Sequence, residues 1–258
     1  MTAATQLKFD YPHHPTAEGY MTQSIKMKYM EAAIKQRLLP DEAFRIADIL
    51  SLTAANDPKQ PIQFWQLYSV VGQDWIVDLV TRFYRRVFAD EVWFKSVFER
   101  VGGMNRHVMT QAGMWIDCMG GGQAYHGGEY RLNFHHYHNA MELMNDKGAA
   151  RWVELMVQTL NEPDIDWTDD PRVRVALNTF LAWFMGKYAA DFSFKDAFDS
   201  AFGETNGRYK RRINFLKMSE AEIEALRYEE LFDALEARRV KVDEDMTKQM
   251  LVSKALAL

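Results

Sequence analysis

From Trp75 to Phe88 the apolar side chains Trp75, Val77, Leu79, Val80, Phe83, Val87 and Phe88 recur at helical spacing. Nowhere does the chain alternate apolar and polar residues for long enough to make a half-buried strand. Glycine and proline are kept out of the long amphipathic runs, where they would cost helix most. The pattern therefore predicts an all-α fold. Helices are expected over about 22–38, from Pro40, and over 75–88, 90–98, 105–119, 129–139, 147–160 and 172–190. Pro40 sits where a first helical turn accepts proline. Asn145 is placed to cap the helix that follows it. Gly102-Gly103 and Gly120-Gly121-Gly122 are the expected breaks. After Gly207 the composition turns charged. Ser219 and Glu222 have capping-box spacing, so a helix is expected from there to about Arg239, with a short last one from Asp243.

With a hydrophobic fraction of 48%, the chain can bury a sizeable core. A net charge of −5 with scattered Lys and Arg gives no electrostatic footprint for nucleic acid. Arg208, Lys210, Arg211 and Arg212 form one basic cluster, which reads as a solvated loop or helix end. Cys118 is the single cysteine, so no intrachain disulfide can form. No segment has the apolar length of a membrane helix, and the first residues do not read as a signal peptide. The expectation is a soluble cytoplasmic protein.

The chemistry concentrates in Phe134-His135-His136-Tyr137-His138, where imidazoles crowd an aromatic segment. Most histidines in helical proteins are hydrogen-bonded structural residues, but clustering argues for ligation. Zinc is one candidate, since His135 and His138 share a helical face, with Cys118 and Glu129 available. No recognised zinc spacing links them. Haem is the other. It requires one axial nitrogen, an apolar slot, and chosen polarity on the opposite face. Phe83, Phe98, Met114, Trp115, Phe134, Met141, Leu143 and Trp152 offer apolar walls. Tyr84 lies on an otherwise apolar face, and His107 and Gln111 are four apart on one face. Burying those polar groups is costly unless they find partners.

Several short motifs then fall in order. Leu67-Tyr68-Ser69-Val70-Val71-Gly72 resembles the "FYxxxGG" opening of the truncated haemoglobins, the short two-over-two helical globins. Phe83-Tyr84-Arg85-Arg86-Val87-Phe88-Ala89-Asp90 resembles their "FYxxVxxD" helix. Met119-Gly120-Gly121-Gly122-Gln123-Ala124-Tyr125 resembles the "GGPxxY" turn, with Gly122 in place of proline. Arg151-Trp152-Val153-Glu154-Leu155-Met156 resembles "RxxWLxxM". The likeness covers about 67–190, roughly half the chain.

The resemblance implies a globin-like two-over-two core that binds haem b. It implies Tyr84 and Trp152 over the ligand side, Phe98 packed on the haem, and His107 and Gln111 at the two distal positions. For the axial ligand it favours His138, which leaves Phe134, Met141 and Leu143 at neighbouring apolar positions. His136 is the alternative that aligns Leu132, and His135 is a third. The basic residues that usually precede the ligand are absent, with His135 or Tyr137 as substitutes. The expected division is an N-terminal helical extension over 1–60, a haem domain over 61–203 and a C-terminal helical extension over 204–258.

The implied function is binding of oxygen or another small diatomic gas. Redox turnover of nitric oxide or peroxide, as an oxidoreductase, would add an electron donor. Two other readings stay open. One is a haem-based sensor or adaptor whose flanking helices meet a protein partner or a second copy. The other is a globin-shaped interaction protein without cofactor.

Overall fold

A computed structural model describes Ile34 and residues 53–55, 57–122, 124–125, 128–195, 201–206, 213–243 and 245–258. The helices expected over 22–38 and from Pro40, and the basic cluster at 208–212, lie outside the described residues. No strand occurs among the described residues. They fall into two compact units, Met1–Arg208 and Tyr209–Leu258.

In the first unit α1 spans Leu67–Ala89, α2 Val92–Val101, α3 Met104–Cys118 and α4 Gly128–Phe134. A π-helical turn, His135–Asn139, continues α4, and a short 3₁₀ turn, Met141–Leu143, follows. Then come α5, Asp146–Leu160, and α6, Pro171–Phe192. The apolar face read over 75–88 is the buried face of α1, with Ile76, Leu79, Val80, Phe83 and Val87 at 1% exposure or less. Each such side chain contributes about 1.5–3 kcal/mol of burial. Helix α1 begins eight residues before the periodicity suggests, but it is interrupted: Gly72 has φ 72° and ψ 177°. A left-handed residue there suits glycine and turns the first helical piece away from the rest.

Helix α1 packs on α3, α5 and α6. Its end is tied to α5 by Asp90, which accepts from Arg151 Nε at 2.9 Å and also from its Nη2. The Arg151 guanidinium holds the Asp90 carboxyl below its usual range. Helix α5 starts as expected: Asn145 Oδ1 accepts from the backbone N–H of Lys147 at 3.1 Å and of Gly148 at 3.0 Å. Helix α6 opens on Pro171, with the Asp170 carboxylate capping the Arg172 N–H at 3.0 Å.

The second unit corrects the expectation of one charged helix over 219–239. It contains α7, Glu220–Ala225, and α8, Tyr228–Glu236. Leu226 is extended, at φ −60° and ψ 147°, because its side chain turns inward at 5% exposure. Glu230 then accepts from the Arg227 N–H at 3.0 Å and starts the new helix. The Ser219–Glu222 box is present. The last helix, α9, spans Lys248–Leu256 rather than starting at Asp243, because Thr247 supplies its cap. Ile213, Phe215, Ile223, Leu231, Leu235 and Leu251 build this unit's own core. No helix among the described residues is long and apolar enough to cross a membrane.

Candidate haem pocket

The first unit holds a cavity of about 270 Å³ lined by residues of α1 to α6 and of the π turn that continues α4. Of the residues singled out from sequence, Tyr84, Phe98, His107, Gln111, Trp115, Phe134 and Trp152 line it. Phe83, His138 and Met141 do not. Phe83 lies one layer behind the wall, its ring 5.3 Å from that of Tyr84 and 5.0 Å from that of Trp152.

Tyr84 is buried, and that burial pushes its phenol well above its ordinary range. Its hydroxyl stays protonated and donates to Gln111 Oε1 at 2.7 Å. The Gln111 Nε2 group is buried without a hydrogen-bond partner. His107 is buried against the rings of Tyr84, Phe88 and Phe98. Burial lowers its pKa, and its Nε2–H donates to the Phe98 carbonyl at 2.9 Å. That ring nitrogen is therefore held by backbone, which opposes a role for His107 as an iron ligand in this conformation.

The histidine segment is where geometry and sequence diverge. His138 is exposed, with its ring stacked on Phe134 at 4.1 Å and its Nδ1–H donating to the Phe134 carbonyl at 3.0 Å. Phe134 itself is 49% exposed and Met141 52%. His136 and His135 line the cavity instead. The histidines on the cavity side are thus His135 and His136 rather than His138. The reason is one of faces. His136 and His138 are two apart and point to opposite sides of the helix. His136 shares its side with buried Leu132, four residues earlier, while His138 shares the exposed side of Phe134. Met141 and Leu143 gave no guide, because the π turn closes with Ala140 N–H to His135 O at 3.1 Å and a 3₁₀ turn follows. The helical register therefore stops before Met141.

The His136 ring Nδ1–H donates to the Leu132 carbonyl at 2.8 Å. A carbonyl only accepts, so Nδ1 carries the proton and Nε2 is the basic nitrogen. Burial, with His135 adding a smaller effect, pushes the imidazole down to about 3, so it is neutral at pH 7. The ring of Tyr188 packs on it at 4.3 Å. His135 is also lowered, chiefly by burial and then by His107, Arg131 and Arg106.

Sequence reading missed several wall residues. Leu181, Phe184, Met185 and Tyr188 come from α6, and Arg106 and Arg131 from α3 and α4. Helix α6 is apolar almost all round, so no stripe marks its cavity face. Arg131 carried a usable signal, a cation one turn from the histidines. Among the described residues no three His, Cys, Asp or Glu side chains converge as a metal cluster, so the zinc reading has no geometric support there.

Residues 66–185 match the bacterial-like globin family, and the helical core described above is globin-like. The chain matches no curated protein and no solved structure.

Proposed function

We propose that this bacterial-like globin core holds one haem b in the cavity, with His136 Nε2 as axial ligand, and that it handles oxygen or another small diatomic ligand. One observation carries the reading. The His136 imidazole is neutral, with Nδ1–H committed to Leu132 and Nε2 left basic, and the same cavity lining holds an unpartnered donor at Gln111 Nε2. An axial histidine oriented and made more basic by a carbonyl bond is how haem and metal sites fix such a ring. Unmet polarity in that lining suits a bound small molecule with acceptor atoms.

The remaining residues fit the group. Trp115, Phe180, Leu181 and Met185 supply apolar surface that excludes water. Arg106 and Arg131 are exposed cations that also line the cavity, and they suit the two carboxylates of a haem. They fill the role for which His135 or Tyr137 was the expected substitute. Bound there, haem iron would supply a coordination position for the gas and one-electron redox chemistry, which would require a separate electron donor. The residues on the Tyr84 side offer hydrogen bonds to a partly negative ligand and keep bulk water away from it.

The test is optical. Chain loaded with haem, reduced, and exposed to carbon monoxide is expected to show a sharpened and shifted Soret band that reverts on gas removal. A spectrum indistinguishable from free haem, with no response to the gas, overturns the reading.

The compact unit Tyr209–Leu258 has a core of its own. That observation favours one elaboration, in which this unit engages a protein partner.

A further inference from the structure

We propose that this chain pairs with a second copy of itself through the exposed side of α4 and of the π turn that continues it. The proposal goes beyond the haem reading and does not depend on it.

This helical segment uses one side for the cavity and leaves apolar rings bare on the other. Leu132 and His136, four apart, line the cavity. Tyr130, Phe134 and Tyr137 follow one another at spacings of four and three, so they form a stripe along the segment. Tyr130 is 80% exposed, and Phe134 and Tyr137 are each 49% exposed. His138 joins the stripe by stacking on Phe134, and the Tyr137 ring continues it onto Phe192 at the end of α6, 4.6 Å away. Met141, two residues past the turn, is 52% exposed. A large apolar side chain exposed alone is ordinary on a protein surface, but several in one row mark an interaction site. The stripe also runs over the π turn His135–Asn139, a rare geometry that concentrates at functional sites.

A second copy is the occupant this surface fits. The residues Tyr130, Phe134, Tyr137, His138 and Met141 include no carboxylate, lysine or arginine. They offer a foreign partner no charge to match, and two copies face to face bring no like charges together. Their rings can meet edge to face or offset, the contacts that one aromatic surface makes with another. At about 150–250 Å² for a whole aromatic side chain, the exposed parts amount to roughly 400–500 Å² per copy. Two copies apposed about a two-fold axis then bury about 1,000 Å² in total, the least that a specific interface needs. That area suits a reversible dimer, not an obligate one.

The experiment is sedimentation velocity of the full chain over about 0.1–200 μM, for wild type, Tyr130→Glu, Tyr137→Glu and Leu216→Glu. Wild type is expected to pass from monomer to dimer with a Kd of about 1–100 μM, as an interface at the lower limit of size gives. Tyr130→Glu and Tyr137→Glu should each raise that Kd at least about 30-fold. One substitution in a two-fold interface removes a ring from both copies and puts two carboxylates into an apolar contact. Leu216, at 82% exposure, is as open as Tyr130 but belongs to the second unit. Leu216→Glu should leave Kd within about 2-fold of wild type, as a surface change outside the interface does. Because Tyr130 is exposed, Tyr130→Glu should also leave the Tm of the dilute monomer within about 2 °C, which separates lost pairing from lost folding.

A wild-type chain that stays monomeric to the top of that range overturns the proposal, and leaves the stripe to residues 1–52 of the same chain or to another protein. A dimer that Leu216→Glu dissociates, and that Tyr130→Glu and Tyr137→Glu do not, moves the interface to the second unit and overturns it equally. A chain that takes up no haem changes neither result. It overturns the earlier reading alone.

Discussion

His136→Ala is expected to lower haem affinity at least about 100-fold, while His138→Ala leaves it within about 2-fold of wild type. The contrast follows from burial and bonding. His136 lines the cavity with its Nδ1–H held by Leu132 at 2.8 Å, which leaves its Nε2 as a lone-pair nitrogen. His138 is exposed and stacked on Phe134, and it does not line the cavity. On the proposed ligation, removing the first takes away the axial bond. Removing the second takes away a surface ring stack. A titration of each variant with haem, followed at the Soret band, separates them. Added imidazole should restore part of the His136→Ala spectrum, since a free ring can occupy the space left by the deleted one. If His138→Ala lost haem and His136→Ala kept it, the assignment would be reversed.

The second large effect is on stability, at Gly148. This glycine opens α5 just after its cap and lines the cavity. A Cβ there would lie 2.2 Å from the Leu143 carbonyl oxygen and 2.7 Å from the carbonyl carbon. Those are backbone atoms, so no side-chain rotation relieves the clash. Replacing a helical glycine by alanine ordinarily stabilises by up to about 1 kcal/mol. Here overpacking wins: Gly148→Ala is expected to cost about 3 kcal/mol, the upper part of the usual range for an overpacked site. For a chain of this size that lowers Tm by roughly 6–12 °C. Gly113→Ala is the control. Its Cβ would meet Ala124 O at 3.4 Å, an ordinary contact, and it sits inside α3. It should raise Tm slightly. Equal shifts for the two variants would contradict this account of α5.

Much of this architecture was legible in the residues because helices announce themselves locally. The apolar series from Trp75 to Phe88 marks the buried face of α1, and Asn145 and Ser219 mark helix starts that the structure bears out. The Tyr84–Gln111 contact was foreshadowed by polar groups on apolar faces, which need partners. What stayed hidden has physical causes. The π turn at His135–Asn139 is a tertiary accommodation with no composition of its own. A register counted through it to Met141 therefore selected the outward ring, His138, over His136. The α6 wall residues Leu181, Met185 and Tyr188 sit on a helix buried on most sides, where periodicity carries no direction. The break at Leu226 depends on one side chain turning into a core formed by residues far along the chain, Leu251 among them.

The most direct test of the central claim is a haem titration of the intact chain, read as Soret absorbance against added haem. The account predicts a linear rise that stops sharply at one haem per chain. A curve that climbs without a break, as haem partitioning loosely onto apolar surface would give, contradicts it.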